Sequence, residues 1–128
     1  MNRKITTTAA ILGMIAIILG AFGAHALKKI LTIEALGTFE TGVKYQMYHA
    51  LFLLFIGSAT FLSDKTKNGI FILTVAGTAL FSGSIYILAT RSISGIDMKS
   101  FGIVTPIGGL LLISAWFWLF LSLIRKKS

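Results

Sequence analysis

Four runs of apolar residues, each without Asp, Glu, Lys or Arg, divide the chain at about 5–27, 45–63, 69–90 and 102–124. A helix needs about 20 such residues to cross a hydrocarbon layer of ~30 Å. None of the runs alternates as the strands of a barrel do. A backbone in lipid must satisfy its own N–H and C=O groups, which leaves the helix as the choice. The pattern predicts an all-α fold: a four-transmembrane-helix bundle in a single domain, residues 1–128. Its spans are expected at about 5–27, 39–63, 69–90 and 102–124, with a short interfacial helix in the segment 28–38.

The connections carry their own signals. Ile30, Leu31, Ile33 and Leu36 fit an interfacial helix. Gly37 suits its end and Thr38 the N-cap of the second span. Glu40 then falls near the positive end of that helix dipole, four residues before Lys44. The stretch DKTKN, 64–68, reads as a tight turn between antiparallel neighbours, and 91–101 as a polar loop.

Composition agrees with a lipid-facing surface. Only 12% of residues are charged, against about 25% in soluble domains. The absence of cysteine excludes disulfides and thiolate metal sites. The net charge of +8 raises nucleic acid as a partner, but the basic residues stand at the ends of the apolar runs and form no stripe. Arg3, Lys4, Lys65, Lys67, Arg125, Lys126 and Lys127 fall on one side of a four-span fold, against Lys28, Lys29, Lys44, Arg91 and Lys99 on the other. The larger set predicts cytoplasmic N- and C-termini. The lipid bilayer is the expected partner, with a membrane-protein partner or a second copy beside it, and no nucleic acid.

The sequence GAFGAHALKK, 20–29, resembles a signal-peptide cleavage site around His25. The apolar run before it, from Ile5 to Phe22, exceeds the about 7–15 residues of a signal h-region, so the stretch is read as the end of a span.

Small residues mark seams where helices approach closely in lipid. The candidate packing set is Gly13, Gly20 and Ala24 in the first span, Gly83 in the third and Gly109 in the fourth. Pro106 falls early in the fourth span, where it is tolerated. Trp116, Phe117, Trp118 and Phe120 fit an aromatic belt.

Polar side chains at membrane depth face the bundle interior and pair. His25, Glu40, Gln46, His49, Ser82, Ser84, Tyr86 and Thr105 are expected to gather near the outer interface. Gly42, Gln46 and His49 share a helix face. The cluster admits three readings: hydrogen bonds that fix helix register, a transport or ligand site, and metal or haem held by His25 and His49. A metal would need three or four ligands, and Glu40 is the one obvious third. No catalytic motif is present. The leading reading is a non-enzymatic structural or assembly component of the membrane without cofactor or metal; the alternative is a small transporter or ligand-binding protein.

Four stretches, in order, carry a resemblance: GAFGAHALK, FETGVKYQMYHAL, LFSGSIYIL and TPIGG. Together they resemble the domain of unknown function family 423, which has a small eukaryotic transmembrane relative. The resemblance implies a multi-pass protein of the bacterial cytoplasmic membrane and implies no activity.

Overall fold

In a computed structural model of the chain, residues 2–95 and 102–125 are described; most of the expected 91–101 loop and Lys99, Lys126 and Lys127 of the charge comparison lie outside them. Five helices form, and no strand occurs among the described residues. α1 spans Arg3–His25, and Asn2 caps it by accepting from the Ile5 N–H at 3.2 Å. A 3₁₀ turn, Leu27–Lys29, follows. α2 runs Ile33–Ser58 from a Thr32 cap that accepts from Ala35 N–H at 3.1 Å. α3 runs Asp64–Ala89 from a Ser63 cap that accepts from Thr66 N–H at 3.2 Å. A single turn, α4 (Arg91–Ser94), precedes α5, Val104–Ile124. Pro106 sits in the first turn of α5, where its missing N–H has no intrahelical partner to lose.

Among the described residues, three segments are long and apolar enough to cross a membrane: Arg3–Lys29, Asp64–Ala89 and Val104–Ile124. α2 is as long as α3 but carries Glu34, Glu40, Lys44, Gln46 and His49 in its first two-thirds.

Three expected boundaries move. No separate interfacial helix ends at Gly37. Thr32 supplies the cap earlier, the helix passes through Gly37, and the Thr38 hydroxyl donates back to the Glu34 carbonyl at 3.1 Å. A lone mid-helix glycine costs about 1 kcal/mol, a penalty that packing of the same segment outweighs: Leu31 and Phe39 are buried with Leu27 and Ala89. The stretch 64–68 is the first turn of α3 and not a connection, so the chain reverses through 59–63. The fourth long helix begins at Val104 and not at 102.

The long helices run up and down. α1 packs on α2, α2 on α3, and α3 on α5. The register is read from the glycines: Gly13 lies against Ala50, Gly20 against Val43, Gly23 against Phe39, and Gly57 against Ile5 and Thr6. Two apolar clusters result. One joins Ile5, Phe52, Leu53, Ile56, Ile70, Ala115 and Leu119 at the end that holds both termini. The smaller joins Leu27, Leu31, Phe39 and Ala89 at the other end. At the terminal end the Gly57 carbonyl, near the C-terminus of α2, accepts from Asn2 N–H at 2.8 Å and from the buried Lys67 ammonium at 3.3 Å. The negative end of the α2 dipole favours that cation. Ile11, Met14, Ile17, Ile18 and Phe22 on α1, and Leu110, Ile113, Phe117 and Phe120 on α5, remain exposed. An apolar surface of this extent fits contact with lipid tails.

Among the glycines, the nearest approach to a neighbouring backbone joins α3 and α5. A Cβ on Gly108 would lie 2.4 Å from the Phe81 nitrogen and 2.9 Å from the Gly77 carbonyl oxygen. No member of the expected packing set approaches a neighbouring backbone in this way: Gly13 and Gly20 meet side chains of α2 at 3.6 and 3.5 Å, and the rest depart further. Ala24 faces outward, with the buried contact displaced one residue to Gly23, and Gly83 has nothing within 4 Å of its Cβ position. Gly109 meets only the Phe81 ring, at 3.6 Å.

Gly108→Ala must therefore push two backbones apart and is expected to destabilise the bundle by about 1–3 kcal/mol. Gly83→Ala meets open space and should be neutral or stabilising by a few tenths of a kcal/mol, since it removes a helix-interior glycine. Thermal unfolding of both variants in mild detergent checks the contrast; equal effects would contradict it.

Candidate functional site

The chemistry of the interior begins with one amide. Gln46 is 5% exposed and sits on the α2 face that also buries Gly42 and His49. Its Nε2 donates across to the Leu12 carbonyl of α1 at 2.8 Å, and its Oε1 accepts from the Tyr86 hydroxyl of α3 at 2.6 Å. A carbonyl can only accept, so Nε2 must face Leu12, and this leaves Oε1 for the phenol. One side chain thus joins three helices.

Gly42 makes room for this arrangement. The Tyr86 ring lies across it, where a Cβ would come within 2.7 Å of Cε1. The ring also packs against Phe39, with centroids 5.1 Å apart. One turn earlier on α3, the buried Ser82 hydroxyl donates to the Gly42 carbonyl at 2.8 Å, a second polar tie between α2 and α3.

His49 is 4% exposed and bonds through both ring nitrogens. Nδ1 lies 2.7 Å from the Tyr45 carbonyl, and Nε2 lies 3.1 Å from the Trp116 indole nitrogen of α5. The carbonyl requires a proton on Nδ1, and the indole N–H requires a lone pair on Nε2. The pair of partners selects the neutral Nδ1–H tautomer. Phe52 closes the group, its ring 4.1 Å from that of Trp116. Farther along α5, Thr105 meets Ser84 hydroxyl to hydroxyl. Ser84 donates its proton to the Phe81 carbonyl at 3.0 Å, so Thr105 is the donor of the pair. Thr78, also buried, has no hydrogen-bond partner among the described residues.

Six of the eight expected cluster residues therefore bond across or within the helices: Gln46, His49, Ser82, Ser84, Tyr86 and Thr105. Two stand apart. His25 is exposed at the end of α1, and Glu40 is exposed on α2. The histidines are not brought together. His49 is level with Gly13, since its neighbour Ala50 packs there, and Gly13 is twelve residues from His25. That spacing is about 18 Å along a helix. The expected depth near the outer interface is corrected for His49, which lies between the two apolar clusters. The described residues hold no group of three or more His, Cys, Asp or Glu side chains placed for a metal.

Some partners were invisible to sequence reasoning. Trp116, expected in an aromatic belt, instead donates to His49, and Trp118 lies on Gly69 in the α3–α5 seam. The Leu12 carbonyl has no signal of its own in the sequence. A groove of about 320 Å³ runs beside the histidine, lined by Tyr45, His49, Phe81, Gly109, Leu112, Ile113 and Trp116.

Comparison with known proteins identifies relatives of the sequence. Residues 19–109 match the family described as Protein of unknown function (DUF423). A UPF0382 membrane protein of Staphylococcus haemolyticus is 40% identical over 113 residues, covering 88% of each chain. The UPF0382 inner membrane protein YgdD of Escherichia coli is 35% identical, over 98% of this chain and 93% of its own. A UPF0382 membrane protein of Haemophilus influenzae is 34% identical over 100% of this chain and 99% of its own. No solved structure matches. The matched region contains Gln46, His49 and Tyr86 but not their partners Leu12 and Trp116, and the chain belongs to the DUF423 family of membrane proteins.

Proposed function

We propose that the protein is a non-enzymatic structural or assembly component of the bacterial cytoplasmic membrane, crossing it four times with both termini in the cytoplasm. The observation that supports this reading is the use of the interior polar groups. Gln46, Tyr86, Ser82, His49, Trp116, Ser84 and Thr105 bond to one another or to backbone carbonyls. Side chains matched in this way hold helices in register. The surface offered to a membrane-protein partner, or to a second copy, is then the rigid outer face of the bundle.

α2 is the fourth span in this reading. Its 26 residues extend about 39 Å, and it lies antiparallel between α1 and α3, each apolar enough to cross. Its lower hydropathy comes partly from Gln46 and His49, whose polar atoms are turned inward and bonded. Lys44 is exposed, and its long apolar stem allows the ammonium to reach the headgroups. The relatives named as membrane and inner membrane proteins support the location. The basic residues at the ends of the apolar runs support the orientation.

Reporter fusions test the topology. A compartment-specific reporter is expected to be active outside the cell when fused after Leu31, and inside when fused after Ser63 or Ser128. The same side for Leu31 and Ser63 would remove α2 as a span, and an external C-terminus would reverse the orientation.

The structural role is tested at His49. His49→Ala leaves the Trp116 N–H without its acceptor and opens a cavity, so a loss of about 1–2 kcal/mol is expected, with lower yield from membranes. Thermal unfolding in mild detergent measures it. Unchanged stability and yield, together with failure of the variant to replace the native protein in cells that lack it, would favour the ligand or transport reading through the groove beside this residue.

A further inference from the structure

A second groove, of about 550 Å³, lies between α3 and α5 at the end that holds both termini. Its composition changes with depth. Ser63, Thr66 and Arg125 lie toward the helix ends, Leu73, Phe117 and Trp118 lie one to two turns deeper, and Ser114, whose hydroxyl donates to the Leu110 carbonyl at 2.9 Å, is the deepest lining residue on α5. The Trp118 ring is fixed there by Gly69, where a Cβ would approach its Cη2 to 2.2 Å. Arg125 is exposed and no carboxylate among the described residues pairs with it. Asp64 belongs to the same turn of α3 as Thr66 but does not line the groove. A cation and hydroxyls at the mouth, with an apolar wall running inward beneath them, match an amphiphile that has an anionic head and a hydrocarbon tail.

We infer that this groove is a binding site for a phospholipid with an anionic headgroup. The Arg125 guanidinium takes the phosphodiester, a planar fork suited to paired phosphate oxygens. The Thr66 hydroxyl, which accepts from Ser63 at 3.0 Å and keeps its own proton to donate, lines the same mouth, and an acyl chain lies along Leu73, Phe117 and Trp118. Charge complementarity selects the occupant. Lys65 is exposed in the first turn of α3, and Arg3 and Lys4 begin α1 at the same end. Each basic residue near a membrane surface contributes about 1 kcal/mol toward anionic lipid. The inference needs the helix ends to lie at a bilayer surface, and it is independent of which face of the membrane that is and of any protein partner.

The test is native mass spectrometry of the full chain in mild detergent with equal amounts of phosphatidylglycerol and phosphatidylcholine. One phosphatidylglycerol is expected to be retained at least about fivefold over phosphatidylcholine, since about fivefold is the preference a single basic residue confers. Arg125→Gln should lower the ratio about fivefold, leaving only what Lys65, Arg3 and Lys4 contribute, while Arg91→Gln at the opposite end leaves it unchanged. Leu73→Trp, which fills the apolar wall without altering charge, should reduce retention of both lipids. Equal retention of the two lipids by the native protein would overturn the proposal, as would a ratio insensitive to Arg125→Gln. Complete displacement of phosphatidylglycerol by millimolar inorganic phosphate would also overturn it, by showing an anion site that needs no lipid.

Discussion

The Gln46 amide carries the constraint on which the bundle depends. A buried amide in a lipid-embedded protein has no water to fall back on, so its nitrogen and its oxygen each need a partner within the bundle. Gln46 finds one on α1 and one on α3. Sliding either helix by one turn, about 5.4 Å, would break one of those bonds. Apolar packing alone tolerates such slips far better, because hydrocarbon contacts are non-directional and lipid tails compete for them on equal terms. Directional bonds therefore decide which of several comparable packings is adopted.

The other interior features follow from the same register. With Gln46 placed, Gly42 falls under the Tyr86 ring and its carbonyl meets Ser82. His49, one turn on, faces α5 and accepts from Trp116. The Gly77–Gly108 contact then brings α5 close enough to α3 for Thr105 to reach Ser84. Polar ties and glycine contacts thus depend on each other: the small residues set the helix separation and the hydrogen bonds set the axial position. Apolar clusters on both sides of the polar zone shield it.

Much of this was legible in the sequence, and the exceptions have physical causes. Charge-free runs of membrane length identified the apolar helices because composition alone decides solvent preference. The i, i+4, i+7 spacing of Gly42, Gln46 and His49 identified one buried face because helix periodicity is local. The helix starts were less legible. Thr32 and Thr38 are equally good caps by residue type, and the packing of Leu31 and Phe39 decides between them. Gly23 and Ala24 could not be told apart by a spacing rule, since rotation of α1 depends on which residues of α2 it meets. His25 and His49 looked like neighbours because both flank the first connection. The structure separates them because α2 had already run four turns when it reached His49. Trp116 was assigned to an interface by residue type, yet its partner lies on a helix 67 residues away in sequence, a separation that no local pattern records.

The most direct test of the register account is a double-mutant cycle at Gln46 and Tyr86. Gln46→Leu, Tyr86→Phe and the double variant would be unfolded reversibly in bicelles, and the coupling taken from the three stability changes. Hydrogen bonds between membrane helices measured in this way average about 0.6 kcal/mol and reach about 1.7 kcal/mol. The three-helix bridge predicts a coupling in the upper half of that range, with each single variant destabilising. Additive effects, with a coupling indistinguishable from zero, would contradict the claim that this amide fixes the helices against one another.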